Sequence, residues 1–176
     1  MIQTRDDIVH AWNDTVQSVT SWFEGQPATG FNQGPKSKWT AGQHLEHLIL
    51  STKPLNLALR LPKIALKLKF GTSGRPSLTF DGMVDRYRGA LSAGGVAAGP
   101  FVPDAVSPDQ KAAIMDRFRN EGDRLATAIA KWDDESLDNL QLPHPLMGNL
   151  TVREMLYFTI YHTRYHLDVL ARDYSA

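Results

Sequence analysis

The 176-residue chain contains no cysteine. That excludes disulfides, a protein thiol nucleophile and every thiolate metal site, so any transition-metal centre must use nitrogen and oxygen ligands. It also fits a reducing, cytoplasmic setting. Neither sign of charge prevails: 19 basic and 19 acidic side chains leave a formal net charge of +0. A strong non-specific binder of nucleic acid or of anionic membranes would need a basic excess, so neither partner is expected. No apolar run approaches the roughly 18 residues of a membrane span. Residues 1–7 show no basic segment leading into an apolar one, so no signal peptide is expected. With 42% hydrophobic and 22% charged residues, the composition is that of a soluble globular protein, read as one domain over residues 1–176.

Four segments carry an apolar period near 3.6, each with its own start signal. In the first, Thr4 opens a Thr-x-x-Asp capping pattern, and Ile8, Trp12, Val16, Val19 and Phe23 form one stripe before Gly25 and Pro27 end it. The second starts from the Thr40-Ala41-Gly42-Gln43 capping box, with Leu45, Leu48, Ile49, Thr52 and Leu55 on one side. Pro54 is a candidate kink, and Pro62 should end this helix. Ser107-Pro108-Asp109-Gln110 opens the third, whose stripe is Ile114, Met115, Phe118, Leu125, Ile129 and Trp132. The box Thr151-Val152-Arg153-Glu154 opens the fourth, with Val152, Met155, Leu156, Thr159, Ile160, Leu167 and Leu170 facing inward. Four such helices without a convincing set of strands predict an all-α four-helix bundle.

Between the second and third helices, residues 71–103 hold seven glycines and three prolines. They are read as a long Gly/Pro-rich crossover with at most a short helix near residues 80–91. The preceding Lys63-Ile64-Ala65-Leu66-Lys67-Leu68-Lys69-Phe70 alternates like a strand yet follows a helix. A basic amphipathic helix on a membrane surface is a further reading of this piece, weakened by the lack of a clean apolar face.

The residues that could carry chemistry are histidines. His162 and His166 are four apart in the fourth helical segment, so both imidazoles fall on one face, one turn apart. His44 and His47 lie in the second. Neutral imidazole suits zinc or nickel, and a third ligand could come from His47 or His44. Three protein ligands leave a coordination position open for water or substrate, the mark of a catalytic site. The plain alternative is that these histidines pack in the core or sit at the surface. His10 and His144 are read as non-ligands, His144 because it precedes Pro145 in a loop. Glu46 and Asp168 are read as solvated carboxylates, and Trp12, Trp22, Trp39 and Trp132 as core or helix-staple residues.

Two stretches taken together resemble one family: Lys38-Trp39-Thr40-Ala41-Gly42-Gln43-His44-Leu45-Glu46-His47-Leu48, and His144-Pro145-Leu146-Met147-Gly148-Asn149-Leu150-Thr151 running on to His162 and His166. They resemble the DinB-like superfamily, which includes bacillithiol S-transferases and mycothiol-dependent maleylpyruvate isomerases. Its motif pairs a tryptophan with a histidine eight residues later, here His47, and a late Gly-x-Leu-Thr lead-in with His-x-x-x-His. The resemblance implies a four-helix bundle, a divalent metal held by His47, His162 and His166, and a homodimer. It gives His44 no role beyond a pocket or outer-shell position. Members often carry glutamine three residues after the last histidine; here that residue is Val169.

Two functions follow as expectations. One is a metal-dependent enzyme that activates water or a low-molecular-weight thiol cosubstrate for transfer to, or hydrolysis of, a small electrophile. The other is a non-catalytic metal-binding, ligand-sensing or stress-response bundle, which the lack of an obvious second catalytic residue favours.

Overall fold

The computed structural model describes residues 2–174; Met1, Ser175 and Ala176, the ends of the expected 1–176 span, lie outside them. Four long helices make the bundle: α1 (Arg5–Glu24), α2 (Ala41–Leu59), α5 (Lys111–Ile129) and α7 (Val152–Asp173). Three of them start at reciprocal capping boxes. The Thr4 hydroxyl accepts from Asp7 N–H at 3.1 Å while the Asp7 carboxylate accepts from Thr4 N–H at 2.8 Å. Thr40 pairs with Gln43 and Thr151 with Glu154 in the same way, each satisfying two otherwise free donors of a first turn. α5 differs slightly: Ser107 and Gln110 bracket a 3-10 turn, Pro108–Gln110, and the α-helix proper begins at Lys111.

The apolar stripes face one another as their spacing requires. α5 packs on both α1 and α2, and α7 packs on both as well. One core cluster gathers Ile8, Trp12, Leu125, Ile129, Leu156 and Ile160, and a second gathers Val19, Phe23, Phe31, Leu45, Leu48 and Phe118. Each such side chain contributes about 1.5–3 kcal/mol when fully buried. The α1–α5 contact is close because α5 carries Gly122: a Cβ there would stand 2.9 Å from a Val16 methyl. Room at that point lets the buried Trp12 indole N–H donate to the Gly122 carbonyl at 2.9 Å.

The connection between α2 and α5 holds more structure than its glycines suggest. Lys63–Phe70 is a helix, α3, and not a strand. Its alternation does not survive because only Leu66 finds a core; Ile64 and Leu68 stay exposed. A further helix, α4 (Phe80–Ser92), lies where a short one was expected and packs against α7. α2 runs through Pro54 without a break and stops at Leu59, ahead of Pro62. After α5 come α6 (Asp134–Asn139) and an antiparallel hairpin, β1 (Gln141–His144) with β2 (Gly148–Thr151), in register Leu142 opposite Leu150 and His144 opposite Gly148.

This hairpin delivers the chain into α7, and polar contacts fix the junction. Glu154, wholly buried, accepts from Arg75 Nη2 at 2.8 Å, from Leu78 N–H at 2.8 Å and from Thr151 N–H at 2.9 Å. Arg153 donates to Asp134 and Asp138 of α6. Burial alone would raise the Glu154 carboxyl pKa, but the bonds from Arg75, Leu78 and Thr151 outweigh it and hold the value below the ordinary one. α7 is thereby tied at its N-terminus to both the crossover and α6, which sets the position of the histidines two and three turns further on.

Candidate metal centre

His162 and His166 point from α7 toward α2, where His47 meets them. His47 Nε2 lies 3.1 Å from His162 Nε2, and His166 Nε2 lies 3.1 Å from the same atom. All three rings are buried, and one nitrogen of each lies within 4.8 Å of those of the others. Metal–imidazole bonds of about 2.0–2.1 Å with tetrahedral angles set nitrogens about 3.3 Å apart. The two 3.1 Å pairs match this, and the third pair, within 4.8 Å, is the one an ion would draw in.

The hydrogen bonds around the group decide which way its lone pairs face. His47 Nδ1 is 2.7 Å from the Phe101 carbonyl oxygen. A carbonyl only accepts, so Nδ1 carries the proton and Nε2 of the neutral ring is bare. A longer chain does the same for His166. The Tyr174 hydroxyl donates to the Trp39 carbonyl, so its oxygen accepts from His44 Nε2–H at 3.2 Å. His44 Nδ1 is then bare and accepts from His166 Nδ1–H at 2.7 Å, which leaves His166 Nε2 bare as well. Two lone pairs thus face His162 Nε2, which can offer at most one proton. The Ser51 hydroxyl, 3.5 Å from His47 Nε2, is a donor at the limit of a hydrogen bond, whereas a cation at the centre satisfies all three nitrogens. The donor set therefore fits a divalent ion.

Electrostatics favour the same protonation. Burial pushes the pKa values of His162 and His166 well below the ordinary value, helped by the neighbouring imidazoles. Burial also lowers that of His47, against the pull of the Phe101 carbonyl, and it brings His44 down to about 4, with His47 adding to the effect. Neutral rings with available lone pairs are what a metal needs.

His44 thus stands beside the group as the acceptor that orients His166. Trp39, read as a staple, instead covers the histidines: its ring lies 4.8 Å from that of His47 and stacks on His166 at 6.3 Å and 14°. Glu46 is not free in solvent, since its carboxylate takes Arg117 of α5 at 2.9 Å, whereas Asp168 is exposed. His144 is not part of the three-histidine group, but neither is it in an exposed loop. It ends β1, is buried, and packs edge-on against Phe158 at 4.4 Å. Burial, with Arg86 nearby, lowers its pKa to about 4.

The three histidines line one side of a cavity of about 740 Å³ between α2, α4, α7, the hairpin and residues 96–102. Its walls are chiefly apolar, among them Leu55, Tyr87, Phe101, Leu142, Met155 and Phe158. A family model described as the DinB superfamily matches residues 4–170. The chain belongs to the DinB superfamily. No curated protein and no solved structure matches it. For this DinB-superfamily chain the helical bundle follows from membership and from the coordinates alike, while a substrate has to be argued from the cavity. No helix among the described residues is long and apolar enough to cross a membrane.

Proposed function

We propose that this protein is a metal-dependent enzyme in which His47, His162 and His166 hold one divalent ion, zinc or nickel, and in which a low-molecular-weight thiol or water attacks a small electrophile bound in the adjoining cavity. The observation that carries the reading is the set of buried, neutral imidazole nitrogens converging on one point at the cavity wall. An ion held there supplies Lewis acidity, which makes a thiol or water nucleophilic near neutral pH.

The chain's own residues do the rest. Phe101 and His44 fix the tautomers of His47 and His166, so that both Nε2 lone pairs face inward. The apolar walls keep bulk water away and strengthen any charge interaction inside. No Asp or Glu lines the cavity among the described residues, so the side chains there include no carboxylate general base. That favours a thiol over water, because a thiol, with an intrinsic pKa of about 8.5, needs less help to ionise and can release its proton to solvent. The chain has no cysteine, so the thiol arrives as a cosubstrate. The same lack of a carboxylate favours the second reading, a non-catalytic metal-binding bundle. The proposal includes a homodimer, which equilibrium sedimentation checks.

The test is turnover by untagged, metal-loaded protein with a panel of small thiols and electrophiles, compared with a His162→Ala variant. Metal-dependent thiol consumption that the variant lacks supports the enzyme. Stoichiometric metal with no turnover across the panel supports the second reading instead.

A further inference from the structure

The cavity has a chemistry of its own besides the three histidines. Among the described residues none of its lining side chains is Asp, Glu, Lys or Arg. Away from the three histidines and the ion proposed for them, a ligand that brought a fixed charge inside would lose hydration and meet no countercharge. Several polar groups of the lining residues, by contrast, have no hydrogen-bond partner among the described residues. Besides Trp39 Nε1–H and the Tyr165 hydroxyl, two belong to rings that meet at Phe158. His144 Nδ1 accepts from Leu146 N–H at 3.1 Å, so the neutral ring carries its proton on Nε2. That Nε2–H has no protein partner among the described residues. Nor does the Tyr87 hydroxyl, and both residues line the cavity. Neither atom is sealed off, because Asn56 Oδ1 alone is both inaccessible and unpartnered among the described side chains. Both rings meet Phe158 edge-on, at 4.4 and 5.0 Å, and Phe158 stacks on His162 at 5.0 Å and 22°. Two rings whose donors lack acceptors therefore stand beside the histidine group, His144 across Phe158 and Tyr87 edge-on to His162 itself at 5.9 Å.

We propose that the cavity takes an uncharged, largely apolar substrate bearing a carbonyl-type oxygen, and that His144 Nε2–H, assisted by the Tyr87 hydroxyl, binds that oxygen. The ligand class and the two donors rest on the cavity alone. That the bound carbon is then attacked rests on the metalloenzyme reading above. His144 comes from the hairpin and Tyr87 from α4, so elements outside the four-helix bundle select the substrate.

Fluorescence titration of the full-length protein, stripped of metal with a chelator so that an anion has no ion to bind, tests this with three probes: prodan, an uncharged dimethylaminonaphthyl ketone; dimethylaminonaphthalene, which lacks the ketone; and anilinonaphthalene sulfonate, which is anionic. Wild type should bind prodan about fivefold more tightly than dimethylaminonaphthalene, the worth of one net hydrogen bond, and more tightly than the sulfonate. His144→Phe keeps an aromatic ring beside Phe158 and removes the donor. It should abolish the ketone preference and leave dimethylaminonaphthalene affinity unchanged. Tyr87→Phe should reduce the preference in the same way and stands in if the first variant does not fold. Equal affinity for the two uncharged probes, or tighter binding of the sulfonate, overturns the proposal. Metal content is measured separately. A ketone preference without metal leaves this inference standing and fells the metalloenzyme; metal without a ketone preference does the reverse.

Discussion

Replacing Glu154 by glutamine tests how the histidines of α7 are held in place. The carboxylate is 0% exposed and accepts from the Arg75 guanidinium, Leu78 N–H and Thr151 N–H. Glutamine keeps the shape but turns one acceptor oxygen into a donor, and since each oxygen accepts from one backbone N–H and one Arg75 N–H, one of each then faces another donor. Leaving a buried donor unpaired costs about 1–3 kcal/mol. The lost ion pair adds less, about 0.5 kcal/mol, because Arg75 is 42% exposed and water screens its charge. A loss of about 2–3 kcal/mol is expected, which for a domain of this size lowers Tm by about 5–10 °C. Urea unfolding followed by circular dichroism measures it. The pH dependence carries the sign. The folded-state pKa of Glu154 lies below its ordinary value of 4.5, so the stabilisation is complete above that pH and is lost as pH falls through the folded value. The gap between wild type and Glu154→Gln should accordingly narrow as pH is lowered from about 5 to about 3. A gap under about 0.5 kcal/mol at neutral pH, the scatter of ordinary surface changes, or one that widens in acid, would refute the reasoning.

Three further outcomes follow. His44→Phe removes the acceptor for His166 Nδ1–H and should weaken metal affinity about 10- to 100-fold with helix content unchanged, read by competition with a chromogenic chelator; unchanged affinity would show that His166 needs no orientation. Gly42→Ala puts a methyl 2.5 Å from Phe31 and Val106, and such overpacking should cost about 1–3 kcal/mol in urea unfolding. Trp12→Phe deletes the indole bond to the Gly122 carbonyl, which keeps its own helical partner within α5, so the lost bond should cost about 0.5–1.5 kcal/mol, visible as a lower thermal midpoint.

Legibility varied with the range of the interactions involved. The capping boxes at Thr4, Thr40 and Thr151 and the stripes behind them are local, and the long helices start where they indicate. Lys63–Phe70 misleads because Lys/Leu alternation mimics a strand while burial, which sequence spacing cannot report, is granted only to Leu66. The hairpin is invisible for a related reason. Its strands are four residues long, β1 contains Pro143, and only one apolar residue of each faces the core. His144 reads as a loop residue beside Pro145, yet contact with Phe158 of α7 buries it. Glu46 reads as solvated because its partner, Arg117, is 71 residues away. The convergence of His47 with His162 and His166 is also long-range, and the residues alone left His44 equally eligible. The family resemblance separated the two, and the hydrogen bonds show why: His44 spends Nδ1 on His166 and Nε2 on Tyr174.

The central claim is that three inward-facing imidazole nitrogens share one ion. Elemental analysis of untagged wild type and His47→Ala, each exchanged into chelator-free buffer, tests it most directly. The account predicts about one equivalent of zinc or nickel per chain in wild type and its loss in the variant, whose helix content stays native. Metal-free wild type that gains no thermal stability on adding either ion, or full metal retention in His47→Ala, would contradict it.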